Sequence, residues 1–188
     1  MLNTFYDKFI FTNALHYRNN NFYLMNVPFL IMPNELLVGI ASHENVEVNR
    51  DIYYAVKEAT GKVLVKQFEL DFATQLQRSL HFVEEYFTAS GWGLLTPVQV
   101  DVENKRAIIS VANSPFALPL LGKVKSEVDH FLRGVLAGLF ANAFKAEVEC
   151  VETECHALKG HGCKFVIQTA EHIDFSGQQA RNQLRVTV

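Results

Sequence analysis

The stretch EVECVETECHALKGHGCKFV (residues 147–166) holds all three cysteines of the 188-residue chain, Cys150, Cys155 and Cys163. Two β-like runs flank a tight turn that contains glycine, so this stretch is predicted to form a β-hairpin. Glu152 lies on the first run, shortly before Cys155. One carboxylate and two thiols that a turn brings together can supply three ligands of a tetrahedral zinc site. The alternative is that the thiols are half-buried and behave as small hydrophobic side chains.

Convergence of these ligands requires an irregular strand. Strict alternation along a strand places Glu152 and Cys155 on opposite faces. The two side chains can meet only if the strand ends or bulges at Thr153–Glu154. His156 and His161 flank the candidate ligands and are alternatives to them, as is Cys150.

A long helix is predicted before this hairpin, over Lys123–Phe144. Its apolar side chains recur at helical spacing and form a wide face, which indicates burial. Gly134 and Gly138 lie one turn apart on it. Because each glycine costs about 1 kcal/mol in a helix, the pair indicates that a neighbouring backbone passes close by.

These segments resemble a known family. E-T-E-C at 152–155, the glycine-containing turn, C-K-F-V at 163–166 and HFLRGVLAGLFANAF at 130–144 resemble the C-terminal signature of the 4-vinyl-reductase-type domain. That family includes sensor domains of phenol-responsive bacterial regulators, and it is related in fold to small subunits of the TRAPP trafficking complex. The resemblance rests on specific residues over roughly the last third of the chain. It implies an α+β fold, with an antiparallel sheet of about four to five strands packed against several helices, and homodimers formed through helices.

The resemblance also implies a metal site. In the phenol sensors zinc is held by a Cys, a Glu and two further Cys, and the last three correspond to Glu152, Cys155 and Cys163. The first corresponds to Asp129, which precedes His130, so a carboxylate or an imidazole replaces a thiolate here. Both can bind zinc. We expect a structural zinc that joins the long helix to the hairpin, and the alternative is a hairpin that has lost its metal.

The expected zinc makes simple demands on the cysteines. They must be thiolates, so zinc affinity should fall with acid. Replacing Cys155 or Cys163 by Ser should cost both zinc and stability, whereas Cys150→Ser should cost little.

Sequence patterns predict further elements before the signature. A polar NNN at 19–21 separates an N-terminal helix from an extended run, and Gly61 is predicted to stop the second of the following helices. The predicted elements are a helix over Leu2–Leu15, an extended run over Phe22–Ile31, a helix from Asn34, a helix over Arg50–Thr60, an amphipathic helix over Phe72–Ala89 and a hairpin of Trp92–Asp101 with Lys105–Asn113.

A ligand pocket is predicted near that second hairpin. Trp92 lies between two glycines, where it either covers the core or lines a cavity in which its indole N–H bonds a ligand. The loop Asn113–Gly122, NSPFALPLLG, is strongly apolar, so it folds over the core, covers a pocket or meets a partner. The candidate pocket residues are Trp92, Phe116, Phe131 and Val135.

Composition excludes several classes of protein. The formal net charge of −3 leaves no broad basic footprint for nucleic acid. An odd number of cysteines does not complete a disulfide framework, and reduced thiols fit the cytoplasm. The start of the sequence lacks a signal-peptide pattern, and no apolar run reaches the ~20 residues of a membrane span. Nucleotide-binding glycine loops, a nucleophile elbow and redox-cofactor motifs are also missing from the sequence.

The sequence therefore predicts a non-catalytic binding or sensor domain for a small apolar or aromatic ligand, with a structural zinc. We expect a homodimer, because the N-terminal helix and the apolar loop exceed what one small core needs. The predicted divisions are a helical extension (1–21), the ligand-binding domain (22–175) and a tail (176–188) that is disordered or adds a strand. The alternatives are an assembly module like the TRAPP relatives and an accessory protein of tetrapyrrole vinyl reduction.

Overall fold

Two antiparallel sheets organise the part of the chain that the computed structural model describes, residues 15–24, 27–67, 72 and 75–185. The smaller sheet joins β1 (Leu15–Arg18), β2 (Asn21–Leu24) and β3 (Val27–Phe29) in that order. The larger sheet is built from β4 (Leu94–Asp101), β5 (Arg106–Ala112), β6 (Glu149–Glu154) and β7 (Cys163–Gln168), with the spatial order β4-β5-β7-β6. The hairpins β4–β5 and β6–β7 are those that the sequence predicts.

Helices cover the larger sheet and connect the two sheets. A π-helical turn at Thr60–Leu64 continues the second helix into the third. The helices are α1 (Asn34–Ala41), α2 (Val46–Ala59), α3 (Val65–Gln67), α4 (Leu76–Ala89), α5 (His130–Phe144), α6 (His156–Lys159) and α7 (Gln178–Gln183). The predicted α+β class is thereby confirmed.

The larger sheet buries one face. Alternate residues of β7 are inaccessible to solvent, namely Cys163, Phe165 and Ile167. Such alternation is what a sheet with one face on the core produces. Helix α5 contacts β6 and β7, and most of its side chains are buried.

Helices α2 and α5 are in close contact through the two glycines of α5. A Cβ atom on Gly134 would lie 2.7 Å from the carbonyl oxygen of Tyr53, and one on Gly138 would lie 2.6 Å from that of Lys57. Real Cβ atoms essentially never come this close to another atom. The close backbone approach that the sequence predicts at Gly134 and Gly138 is therefore confirmed.

Several predicted boundaries are wrong. Gly61 does not stop the helix, because it lies against α5, where the Asn142 side chain donates a hydrogen bond to its carbonyl at 3.4 Å. Helix α5 begins at His130 and not at Lys123, and α4 begins at Leu76 and not at Phe72. The sequence does not predict strand β1, and Asn19–Asn20 form a turn with φ of 49° and 60° that leads into β2.

The segment predicted as a disordered tail or a strand contains the short helix α7. Its side chains hydrogen-bond to the edge of β6, a long-range contact that leaves no local pattern in the sequence. The predicted N-terminal helix lies almost entirely outside the described residues, and the division at residues 21 and 175 stays a prediction. Within the described ranges, no helix is long and apolar enough to cross a bilayer.

Candidate metal and ligand sites

Four side chains with metal-ligating atoms converge between α5 and the β6–β7 hairpin. They are Asp129, Glu152, Cys155 and Cys163, and one potential ligand atom from each lies within 4.8 Å of all the others. All four residues are buried. The structure therefore brings together the four residues that the resemblance implies, in a group that could hold a metal ion.

Backbone geometry explains how two residues of one strand reach the same point. The pairing of β6 with β7 shifts register between Glu152 and Glu154, and the strand then ends. Cys155 follows directly and precedes α6, so its side chain turns back toward Glu152. The irregularity that the sequence requires at Thr153–Glu154 is thus present.

Hydrogen bonds hold one oxygen of each carboxylate. The Ser114 hydroxyl donates to Asp129 Oδ1 at 2.5 Å, and the Asp129 N–H donates to Glu152 Oε2 at 3.2 Å. The second oxygens, Asp129 Oδ2 and Glu152 Oε1, are buried without a nitrogen or oxygen partner. Buried carboxylate oxygens seldom lack a partner unless they serve a function, and a cation is one group that would satisfy both.

The two thiols differ in their surroundings. A hydrogen bond with Cys163 lowers the pKa of Cys155 to about 7, against the opposing effect of burial. The same hydrogen bond, together with burial, raises the pKa of Cys163. The His156 N–H also donates to Cys163 Sγ at 3.3 Å, a contact that supports a thiolate.

Without a cation, the four acidic groups cannot all be ionised. Burial raises the pKa of Glu152, and the neighbouring charge of Asp129 raises it further. Burial likewise raises the pKa of Asp129. A divalent ion would offset this repulsion and favour the ionised forms. Two oxygens and two sulfurs form a donor set that suits a borderline-soft ion such as zinc, so the residues present fit the metal that the resemblance implies.

The C-terminal helix α7 fixes the backbone next to this group. The Gln183 side chain accepts a hydrogen bond from the Glu152 N–H at 2.8 Å and donates to the Glu152 carbonyl at 2.9 Å, as a neighbouring strand would. The Gln179 side chain also donates to the Glu152 carbonyl, at 3.0 Å. Neither glutamine, nor Ser114, could be singled out from the sequence, because each is a common polar residue outside any motif.

The alternative ligands lie outside the group of four. His130 is buried with both ring nitrogens unpartnered, and burial, together with the charge of Arg133, lowers its pKa to about 3, which keeps it neutral. Cys150 is fully buried, and burial raises its pKa to about 12. His156 is next to the group but contributes its backbone N–H, and His161 is exposed.

A separate cavity of about 470 Å³, called the inner cavity below, lies among β3, α2, α4 and α5. Three of the four predicted pocket residues line it: Trp92, Phe131 and Val135. Phe87 and Tyr86 add aromatic rings to the wall, and none of the residues that form the wall is charged. The cavity therefore suits a neutral apolar or aromatic molecule.

The fourth predicted pocket residue, Phe116, does not line the inner cavity but contacts residues that do. Its ring stacks on Phe131 at 5.7 Å and meets Trp92 edge-on at 5.6 Å. Trp92 in turn meets Phe87 edge-on at 5.3 Å. These four rings form a continuous aromatic row beside the cavity, with centroid distances typical of favourable pairs.

Comparison with known proteins agrees with this description. Residues 108–169 match the vinyl-4-reductase domain, which confirms the predicted resemblance to the 4-vinyl-reductase-type family. The fold resembles that of the phenol-responsive sensory domain of the transcription activator PoxR, crystallised with phenol. The two chains share 12% identity over 99% of this chain and 100% of that one, with a TM-score of 0.70. At such low identity, the likeness shows a shared fold.

Two further structures align over a smaller part of the chain. One is subunit 3 of the trafficking protein particle complex from Naegleria fowleri, solved covalently bound to palmitic acid, with 12% identity over 72% of this chain and 93% of that one and a TM-score of 0.47. The other is a vinyl-4-reductase family protein from Methanocaldococcus jannaschii, with 16% identity over 74% and 96% and a TM-score of 0.45. No curated protein sequence matches the chain significantly.

Proposed function

We propose that this chain is a non-catalytic binding or sensor domain that takes a small apolar or aromatic ligand into the inner cavity. The observation that carries the proposal is the cavity itself, with a volume of about 470 Å³ and a wall that is aromatic and uncharged. Sites of this size and lining are typical of small-molecule binding. The fold shared with a phenol-responsive sensory domain supports the same conclusion.

The wall also offers groups for a hydroxyl. Thr60 and Tyr86 carry hydroxyls, and Trp92 carries an indole N–H, and all three residues border the cavity. A few polar groups on an otherwise apolar wall are what orients a ligand in such a site. A neutral phenol matches this lining better than a carboxylate does, because no cation of the wall would compensate a buried charge.

The chain contains its own reporter for this test. Trp92 is the only tryptophan, so a titration with phenol should change its fluorescence saturably. Phe131→Ala removes an aromatic ring from the wall and should weaken binding by about tenfold. Leu94→Ala, at an exposed position of β4, should leave binding unchanged. No saturable change with phenol or a larger aromatic at millimolar concentration would refute the proposal.

The second part of the proposal is a structural zinc bound by Asp129, Glu152, Cys155 and Cys163. When bound, zinc would supply the positive charge that this buried group lacks. The four residues then join α5 to the β6–β7 hairpin, and a set of four protein ligands suits a structural role. Three free, buried cysteines also fit a reducing compartment such as the cytoplasm.

Elemental analysis of protein purified without chelator tests the zinc. We expect about one zinc per chain, and Cys163→Ser should lower both the zinc content and the melting temperature. Cys150→Ala is the better control, because Cys150 is fully buried and Cys150→Ser would bury a hydroxyl there. A chain that folds with far less than one zinc has lost the metal.

An assembly role is the second candidate, and the exposed apolar residues of α1 and the 113–122 loop favour it. Leu36 and Ile40 are 57% and 45% exposed, and Leu118 and Leu121 are 44% and 47% exposed. Exposed apolar side chains in one region often mark an interface. We propose a homodimer that buries them. Light scattering should give the dimer mass and Leu36→Glu should lower it, whereas a constant monomer mass at micromolar concentrations would contradict the dimer.

A further inference from the structure

A surface groove adjoins the inner cavity. Its volume is about 480 Å³, and it is lined among others by Phe29, Leu30, Ile31, Leu37 and Trp92. Phe29 and Trp92 also line the inner cavity, so the two spaces meet at these two side chains. A molecule that fills one of them can therefore extend into the other.

The two spaces differ in the chemistry of their walls. The inner cavity is bordered by the rings of Tyr86, Phe87 and Phe131, which favour edge and face contacts with another ring. The groove contributes the aliphatic side chains of Leu30 and Ile31 and, as in the inner cavity, none of its lining residues is charged. An aromatic wall that continues into an aliphatic one suits a ligand with both kinds of surface.

Exposure within the groove is unusually high. Leu30 is 74% exposed and Ile31 is 59% exposed, and both follow directly after β3. Each would be stabilised by an apolar group that removes it from water, at roughly 25 cal/mol per Å² of apolar surface. A single aromatic ring held in the inner cavity does not reach this surface, whereas an alkyl tail that leaves the cavity along Phe29 and Trp92 does.

We propose that the groove binds the alkyl tail of a ligand whose aromatic ring occupies the inner cavity. The preferred ligand class is then neutral, alkyl-substituted aromatics rather than unsubstituted phenol. This inference rests on the proposed function, since it assumes that the inner cavity binds a ring.

A series of 4-alkylphenols, from ethyl to octyl, tests the proposal through Trp92 fluorescence. Affinity should rise by about two- to fourfold for each methylene that the groove covers, the gain expected for burying one methylene. Ile31→Asp places a charge in the groove and should flatten this rise while leaving the affinity for phenol unchanged. Leu36→Asp is the matched control, because Leu36 is 57% exposed but lies outside the groove lining. Leu30→Asp repeats the test at a second groove position.

Each outcome separates this inference from the proposed function. Saturable binding of phenol with an affinity that is flat or falls along the series overturns the groove proposal and leaves the binding domain intact. Failure of all the phenols to bind overturns both. If Ile31→Asp changes the association state and not the slope of the series, the groove is a protein contact and the proposal is wrong.

Discussion

Asp129 shows how much a single residue can join in this fold. Its N–H donates to Glu152 on β6, its carboxylate accepts from Ser114, and its carbonyl accepts the Arg133 N–H at 2.9 Å in the first turn of α5. One residue therefore connects a loop, a helix and a strand. The resemblance to the phenol sensors implies a cysteine at this position, and a cysteine would not accept the short Ser114 hydrogen bond as strongly as a carboxylate does.

Ser114→Ala is a first prediction at this scale. The hydroxyl also accepts the N–H groups of Phe116 and Ala117 at 3.3 Å, so its loss frees three groups in a buried loop. We expect a loss of about 1–3 kcal/mol in the free energy of unfolding. Metal affinity should fall by about 10- to 100-fold, because the ligand Asp129 loses its orienting partner. Chelator competition measures this affinity. Ser126→Ala, at an exposed position nearby, should change neither quantity.

Tyr53→Phe is a second prediction, and it concerns pH. The buried Tyr53 hydroxyl donates to Glu149 at 2.5 Å and accepts the Cys150 N–H at 3.0 Å. Burial, together with the Glu149 charge, raises the pKa of Tyr53 well above its ordinary value. Stability that comes from the neutral hydroxyl is therefore complete below about pH 10, the pKa of an unfolded tyrosine, and is lost as pH rises further.

Urea unfolding between pH 7.5 and 11 measures this effect. Tyr53→Phe should cost about 1–3 kcal/mol near neutral pH, because it leaves the Cys150 N–H without its partner. Above pH 10 the difference from the wild type should shrink, since only the wild type has this hydroxyl to ionise. Tyr17→Phe, at a position 61% exposed, provides the control. An equal difference at every pH would contradict the role assigned to Tyr53.

At the scale of elements, the sequence predicts what is local and misses what is distant. Gly134 and Gly138 indicate a close approach because glycine in a helix has a cost that something must offset. The identity of the neighbour, α2, could not be predicted, because the contact joins segments about 80 residues apart. The prediction at Gly61 is wrong for the same reason: contact with α5 overrides its preference to end a helix.

Gly134→Ala tests the packing of α2 against α5. Alanine is the better helix former by about 1 kcal/mol, so propensity alone predicts stabilisation. The new methyl group would instead meet the Tyr53 carbonyl oxygen and Val56 Cβ, the first of which is backbone and cannot move alone. We expect a net loss of about 1–3 kcal/mol, measured by urea unfolding.

Gly39→Ala in α1 is the matched control. A Cβ there meets nothing within 4 Å, so the same substitution should be neutral or stabilising by up to about 1 kcal/mol. If both variants gain stability, the helices are not as close as described.

At the scale of the whole molecule, helix α5 and the 113–122 loop each reach both candidate sites. Asp129, at the start of α5, belongs to the metal-ligating group, and Phe131 and Val135 line the inner cavity. Ser114 in the loop holds Asp129, while Phe116 stacks on Phe131. The sequence predicts the candidate residues of both sites, largely through the family resemblance. It does not predict this connection, which arises from hydrogen bonds and ring contacts between segments.

A connection of this kind predicts reciprocal coupling between metal and ligand. Removing the metal with a chelator should let Asp129 and the start of α5 shift, which disturbs Phe131 and so weakens phenol binding, by about 5- to 10-fold. By the same linkage, phenol should raise the affinity for zinc by an equal factor. Phenol titrations with and without chelator, and zinc competition with and without phenol, measure both arms. Phe116→Leu should reduce the coupling while zinc still binds. Equal phenol affinities for the metal-bound and metal-free protein would show that the two sites act independently.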